Sequence, residues 1–243
     1  MTDGMANFIS DRLIAWQEMG QAADPERLVE AAGRVCYMSF GLRQFRKENK
    51  AYIENLVSQG HESVLEHASF SLLVDGLSRS LSHQLVRHRA GFSYSQLSQQ
   101  YYDESFVEFS EPHGLSNFPE ARRRWNESMK YARDAYREIL DAVEKEEESA
   151  EQLSAKERLR LKRNIARSVL PNATVTTLMV TGNARAWRHL LNIRGDIPGD
   201  PEMREYCVGV FELLRVSAPS LFGDFEVHRD QAGLSVRLTG LPK

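Results

Sequence analysis

Two arginines flank a histidine at Arg87-His88-Arg89, and the residues around them are rich in groups that bind anions and rings. Gln84 precedes them. The stretch from Ala90 to Asp103 adds Ser93, Ser95, Gln96, Ser98, Gln99 and Gln100, with Phe92, Tyr94, Tyr101 and Tyr102 interleaved. Guanidinium forks grip phosphate or carboxylate at two points, amides read base edges and aromatic rings stack. The combination suits a polyanionic ligand that contains rings. A solvated helix end, where cations favour the helix dipole, accounts for the same composition.

Four of the seven histidines (His61, His67, His83, His88) fall within 28 residues, with Glu62 and Glu66 among them. Their spacings match no standard zinc arrangement, and no histidine follows Glu62 at the zincin distance, so no metal is expected. Gly-x-Ser-x-Gly, Gly-x-Gly-x-x-Gly and Walker-type loops are absent from the sequence, which argues against a nucleophile elbow and the common nucleotide folds. Cys36 and Cys207 each lie in a helical pattern and read as small buried hydrophobes rather than catalytic thiols.

The elements that must position these groups are mainly helical. Asp24-Pro25 reads as an N-cap and first helical residue, followed by Leu28, Ala31, Ala32 and Val35 at helical spacing. A second helix is expected over 42–57, a strand over 68–74, a helix over 77–88 with Leu81, Leu85 and His88 on one side, and a loop over 90–103. One long amphipathic helix is expected over 119–148, with a solvated acidic tail from Glu144 to Glu148. Ser154-Ala155-Lys156-Glu157 matches a capping box for a helix that must stop before Pro171. Then come a β-branched strand over 174–181, a helix capped by Asn183, a helix opened by Asp200-Pro201, and strand character over 225–238. This order predicts an α+β class, as a single domain over 1–243, rather than a regular βαβ alternation.

Composition sets the outer bounds. The chain has 243 residues, 42% hydrophobic and 27% charged, enough for a sizeable core. No run approaches the roughly 20 apolar residues that span a bilayer, and Met1-Thr2-Asp3-Gly4 lacks a signal-peptide pattern. With two cysteines no disulfide framework is expected, and a cytoplasmic setting is the simplest. A net charge of −3 argues against gripping nucleic acid by bulk electrostatics. Of 31 basic residues, 24 are Arg, a bias that a GC-rich genome or a need for bidentate forks would each produce.

Arg87-His88-Arg89 with the downstream Ser98 resembles the signature of the flavin-dependent thymidylate synthases, and Phe92 to Gln99 is similar to the actinobacterial form of that loop. His61-Glu62-Ser63-Val64-Leu65-Glu66-His67, Asn183-Ala184-Arg185, Leu191-Asn192-Ile193-Arg194 and Arg167 before Leu170-Pro171 resemble other elements of the family, in the right order over roughly residues 25 to 215. The resemblance implies the family's α+β fold, with a small central, mostly antiparallel sheet flanked by long helices. It implies FAD held by Ser63, Arg87, His88, Arg89, Gln96, Asn183, Arg185 and His189. It places a pyrimidine nucleotide against Gln84, Arg87, Gln96, Ser98, Gln100, Arg167 and Arg194. Arg194 and Ser98 then carry the chemistry: reductive C5-methylation of dUMP, with methylenetetrahydrofolate as carbon donor, NADPH as reductant and no cysteine nucleophile. Family sites lie at the subunit contacts of a homotetramer; neither nucleic acid nor membrane is an expected partner.

Two departures border the expected nucleotide site. Eight residues rather than seven separate Arg89 from Ser98, the addition falling around Ala90-Gly91. Gln100 stands where the family usually has an arginine that meets the nucleotide phosphate. Losing one charge-assisted hydrogen bond costs about 1.5–3 kcal/mol, so Gln100 binds more weakly or another basic group compensates. Drift with activity retained is one reading; methylation of UMP, as in nucleoside-antibiotic biosynthesis, is another. A flavin-binding paralogue with only NADPH oxidase activity and an RNA-binding module are the alternatives from other classes.

Overall fold

The computed structural model describes residues 22–146, 153–231 and 233–239. Its helices are α1 (Asp24–Tyr37), α2 (Asn49–Ser58), α3 (Arg79–Leu85), α4 (Pro119–Glu146), α5 (Ala155–Ala166), α6 (Ala184–Arg194), α7 (Pro201–Ser217) and the single turn α8 (Pro219–Phe222). Strands β1 (Ser69–Ser78), β3 (Val175–Asn183) and β2 (Phe92–Gln96) form a sheet in that order. Strands β4 (Phe225–Asp230) and β5 (Gly233–Leu238) form an antiparallel hairpin, with Val227 opposite Val236. The class is α+β, as expected. Residues 1–21, Glu147 and Glu148, where the N-terminal reading and part of the acidic tail fall, lie outside the described residues.

The described chain groups into two compact units. One takes the chain up to Ser71, then Arg89–Ser93, then the chain from Thr181; the other takes Leu72–His88 and Tyr94–Val180.

In the first unit, α7 buries Met203, Cys207, Val210, Phe211 and Leu214, and it packs on β5. Phe70 meets Phe222 edge-on at 5.8 Å, and Phe92 meets Trp187 at 4.8 Å. Helix α1 departs from its expected apolar stripe. Leu28 and Val35 are about half exposed, whereas Glu26, Glu30 and Arg34 are buried. Arg34 Nε donates to Glu30 Oε1 at 2.6 Å, and its two Nη atoms donate to Ser39 O and Arg46 O. Asn49 Nδ2 donates to the other Glu30 oxygen at 2.7 Å, and Tyr52 stacks under the guanidinium at 4.4 Å. This polar knot holds residues 39–46, with a 3-10 turn over Gly41–Arg43, outside α2, which is why α2 starts at Asn49 and not near Leu42. The inward residues Glu26, Val29, Glu30, Gly33 and Arg34 also turn Cys36 outward. The expected burial of Cys36 is therefore wrong; Cys207 is buried, as expected. The α1 cap also shifts by one residue: Ala23 is the N-cap and its N–H donates to Glu26 Oε2.

Still in this unit, the turn before β2 approaches the start of α6 closely. Gly91 has φ +75°, and a Cβ there would lie 2.8 Å from both Ala186 Cβ and Asn183 Nδ2. Its carbonyl accepts from Asn183 N at 3.1 Å, and the Asn183 side chain caps α6 by accepting from Ala186 N at 2.9 Å.

In the second unit, β3 alternates cleanly, with Thr176, Leu178 and Val180 buried. Leu81 and Leu85 of α3 are buried on one side, as expected, but the helix ends at Leu85, before His88. Helices α4 and α5 pack together. Tyr136 of α4 is fully buried, and its hydroxyl oxygen accepts from Glu104 N at 3.2 Å. Ser154 forms the expected capping box with Glu157. The expected loop over 90–103 contains β2, of which residues 92–93 fall in the first unit and 94–96 in the second. Half-buried Phe92, Tyr94 and Gln96 alternate with exposed Ser93 and Ser95, a strand period concealed by polar composition.

Truncating one member of a buried ion pair strands the other charge. Arg34→Met should cost about 3–5 kcal/mol in denaturant unfolding, and Arg34→Met with Glu30→Met should recover much of it; a single variant within error of wild type would refute the pairing. Gly91→Ala should destabilise by about 1–3 kcal/mol, read as a lower Tm, whereas an unchanged Tm would show that the turn can move aside.

Candidate active site

The expected site residues divide between the two units. Ser63, Arg89, Asn183, Arg185, His189 and Arg194 belong to the first; Gln84, Arg87, His88, Gln96, Ser98, Gln100 and Arg167 belong to the second.

In the first unit a cavity of about 550 Å³ is lined by Glu62, Glu66, Gly91, Asn183, Arg185 and His189, among others. Three expected flavin residues thus meet at one concavity. The cause is local: Asn183 caps α6, and Arg185 and His189 stand one helical turn apart, so they share a face. Gly91 closes that wall without a side chain. Arg185 Nη1 lies 2.7 Å from Glu66 Oε1 and its Nε 3.3 Å from Glu62 Oε2. The two carboxylates, Glu66 foremost, hold its pKa above the usual arginine value. An arginine carries five N–H donors, so two acidic partners orient the fork without exhausting it. The sequence drew Glu62 and Glu66 into a possible metal cluster; the structure makes them partners of Arg185. His61 and His67 fall in the first unit and His83 and His88 in the second, and among the described residues no group of three His, Cys, Asp or Glu is placed to hold a metal.

Ser63, on the 3-10 turn Glu62–His67, and Arg89 are both exposed and are not among the residues lining this cavity. Neither is Arg194, the half-buried last residue of α6. Gly195 beside it packs so closely on β5 that its N–H follows the helix to Leu191 O while its carbonyl accepts from Val236 N at 2.9 Å. Arg194 also acts electrostatically on Cys207. That thiol is pushed up to about 12, chiefly by burial, so it stays protonated at neutral pH and is no nucleophile.

In the second unit Gln96 donates its amide to Ser82 Oγ at 3.0 Å and Thr176 Oγ1 at 3.3 Å. Ser98 Oγ accepts from Gln100 N at 3.3 Å, and Ser98 O accepts from Tyr101 N and Tyr102 N. Ser98 therefore organises its own turn. His88 O accepts from Tyr94 Oη at 3.0 Å, and burial pushes that phenol up to about 12, so it remains a donor across the physiological range. Arg167, on the 3-10 turn after α5, donates to Asn164 Oδ1 at 2.6 Å. Gln84 lies on α3, and Arg87 follows it on exposed chain. The structure adds two charged side chains that the sequence did not single out, Arg79 and Glu104. Arg79 donates to Leu97 O at 3.1 Å, next to Ser98, while Glu104 is buried. One arginine among 24 carries no signal of its own.

The family model described as thymidylate synthase complementing protein matches residues 18–220. A Corynebacterium aurimucosum protein named flavin-dependent thymidylate synthase is 41% identical over 221 residues, covering 90% of this chain and 88% of the relative. A Mycolicibacterium gilvum protein of the same name is 43% identical over 201 residues, covering 82% and 79%. One from Corynebacterium diphtheriae is 38% identical over 222 residues, covering 91% and 87%. With its motifs in order along a match of this length, the chain belongs to the thymidylate synthase complementing protein family.

Proposed function

We propose that this protein is a flavin-dependent thymidylate synthase. It methylates C5 of dUMP with methylenetetrahydrofolate as carbon donor and NADPH as reductant, FAD serving as cofactor. The observation that carries this reading is the cavity shared by Asn183, Arg185 and His189, three residues that the family pattern assigns to the flavin, in a chain about 40% identical to proteins of that name.

The cavity suits part of a flavin dinucleotide. It offers an amide, an imidazole and an oriented guanidinium along one wall, and Gly91 lets the turn close against that wall, where a Cβ would clash with Ala186 and Asn183. Asn183, Arg185 and His189, with Ser63, Arg87, His88, Arg89 and Gln96, would hold FAD, which supplies the redox capacity when bound. Gln84, Arg87, Gln96, Ser98, Gln100, Arg167 and Arg194 would hold the nucleotide. A homotetramer with sites at subunit contacts would bring the two groups of residues together.

C5 of uracil is a weak nucleophile until electron density enters the ring. Arg194 favours that by stabilising the negative charge that develops on the pyrimidine; a guanidinium keeps its own proton, so its role is electrostatic. Ser98 fixes the turn that presents the nucleotide. A buried, protonated Cys207 agrees with a reaction that uses no enzyme thiol.

Purified protein should be yellow and should form thymidylate from dUMP only with both methylenetetrahydrofolate and NADPH, and Cys36→Ser with Cys207→Ala should retain turnover. UMP run in parallel reads the nucleotide preference that the longer loop and Gln100 could alter. NADPH oxidation indifferent to nucleotide and folate would overturn the reading. Arg194→Ala should abolish methyl transfer while the flavin absorbance stays; loss of FAD instead would move Arg194 to the cofactor.

A further inference from the structure

Arg194 occupies the last position of α6, where a helix ordinarily frays. Here the chain beyond it is held. Gly195 continues the helical turn with φ −59° and ψ −28°, its N–H donates to Leu191 O at 2.8 Å, and Ile197 N donates to Arg194 O at 3.2 Å. That backbone conformation needs no glycine. The neighbouring strand does: a Cβ at position 195 would lie 2.4 Å from Val236 O and 3.1 Å from Val236 Cβ, while Val236 N donates to Gly195 O at 2.9 Å. Strand β5 is thus pressed against the end of α6 at the residue after Arg194.

The next residue adds charge to this contact. Arg237 Nε lies 2.7 Å from Asp196 Oδ2, and Arg204 Nη2 lies 3.7 Å from Asp196 Oδ1. The same two arginines reach Asp230, Arg237 at 3.7 Å and Arg204 at 3.0 Å. Arginine and aspartate therefore alternate across α7, β4, β5 and the chain leaving α6. Arg204 is buried and also donates to Leu234 O at 3.1 Å, which anchors the group in the core of the first unit. Burial opposes the charge on Asp196, but Arg237 foremost, with Arg204, holds its carboxyl below the usual value. An isolated exposed pair adds little, whereas a network built on a buried arginine restrains geometry. The start of the hairpin is tied to α6 as well, because Arg188 donates to both Asp224 oxygens at 2.6 Å.

We propose that Asp196 and Arg237, with Arg204 behind them, are positioning residues for Arg194. They hold the end of α6 against the β4–β5 hairpin so that the Arg194 guanidinium meets the charge developing on the pyrimidine. This rests on the reading of Arg194 as the residue that stabilises that charge. Asp196 and Arg237 act through Arg194 and have no part in binding nucleotide or flavin.

Arg194 is one of several groups on the uncharged pyrimidine and matters most once charge appears, so misplacing it slows the reaction more than it weakens binding. In the flavin-loaded enzyme Asp196→Asn, which keeps the shape and removes the charge, should lower the single-turnover rate of thymidylate formation about tenfold or more. The dUMP Kd should change by less than about threefold, and flavin occupancy should stay as in the wild type. Arg237→Gln should behave in the same way, and Arg237→Lys, which keeps a cation opposite Asp196, should recover most of the rate. An unchanged rate in Asp196→Asn, losses of dUMP affinity or flavin in step with the rate, or Arg237→Lys no faster than Arg237→Gln would overturn the proposal. Normal turnover in Arg194→Ala would instead overturn the assignment of Arg194 on which it rests.

Discussion

The candidate cofactor cavity depends on one close approach: the Gly91 turn against the first residues of α6. Asn183 is engaged twice there, its N–H donating to Gly91 O and its side chain accepting from Ala186 N. The cap starts α6 where β3 ends and so fixes the rotation of the helix. That rotation places Arg185 and His189 on the cavity wall and turns Trp187 inward, where it meets Phe92. Gly182 belongs to the same joint, since a Cβ there would lie 2.5 Å from the Phe92 ring. Backbone approach at this distance leaves no room for side chains, and the extra loop residue relative to the family pattern falls on this turn.

Charge is the second organising constraint, and the abundant arginines divide by how they are solvated. Arg123 and Arg124 pair with Glu120 and Glu127 on the exposed face of α4, where such pairs add little. Arg34, Arg188 and Arg204 are buried and bonded to Glu30, Asp224 and Asp230, so each would be costly to truncate. Arg188 lies between Arg185 and Arg194 in sequence, yet it is structural: its fork reaches both Asp224 oxygens and Leu221 O. Arg185 is the intermediate case, exposed and held by two carboxylates at a cavity edge.

Where local rules dominate, the elements were legible. The Ser154 capping box, the Asn183 cap, the Pro201 start of α7 and the β-branched run of β3 all depend on neighbours within a few positions. The misses arose where a distant partner intervened. Residues 39–46 do not join α2 because Arg34 takes two of their carbonyls. Helix α1 hides its inward face behind charged residues, so hydrophobic spacing pointed to the wrong side and put Cys36 inside. Strand β2 is built from Phe, Tyr, Gln and Ser, whose composition favours a loop while their alternation obeys the sheet.

The sequence by itself determined the family, because Arg87-His88-Arg89, the segment from His61 to His67 and the Asn183 and Arg194 elements occur in order at compatible spacing. It also determined which side chains to examine and that Gln100 departs from the pattern. Only the tertiary structure decided that Asn183, Arg185 and His189 share a cavity, that Glu62 and Glu66 orient Arg185, and that Arg79 stands beside Ser98 with a buried donor unpaired. The physical reason is range. Caps and strand periods are written over a few residues, whereas the burial and pairing of a charge depend on whatever the fold brings alongside it.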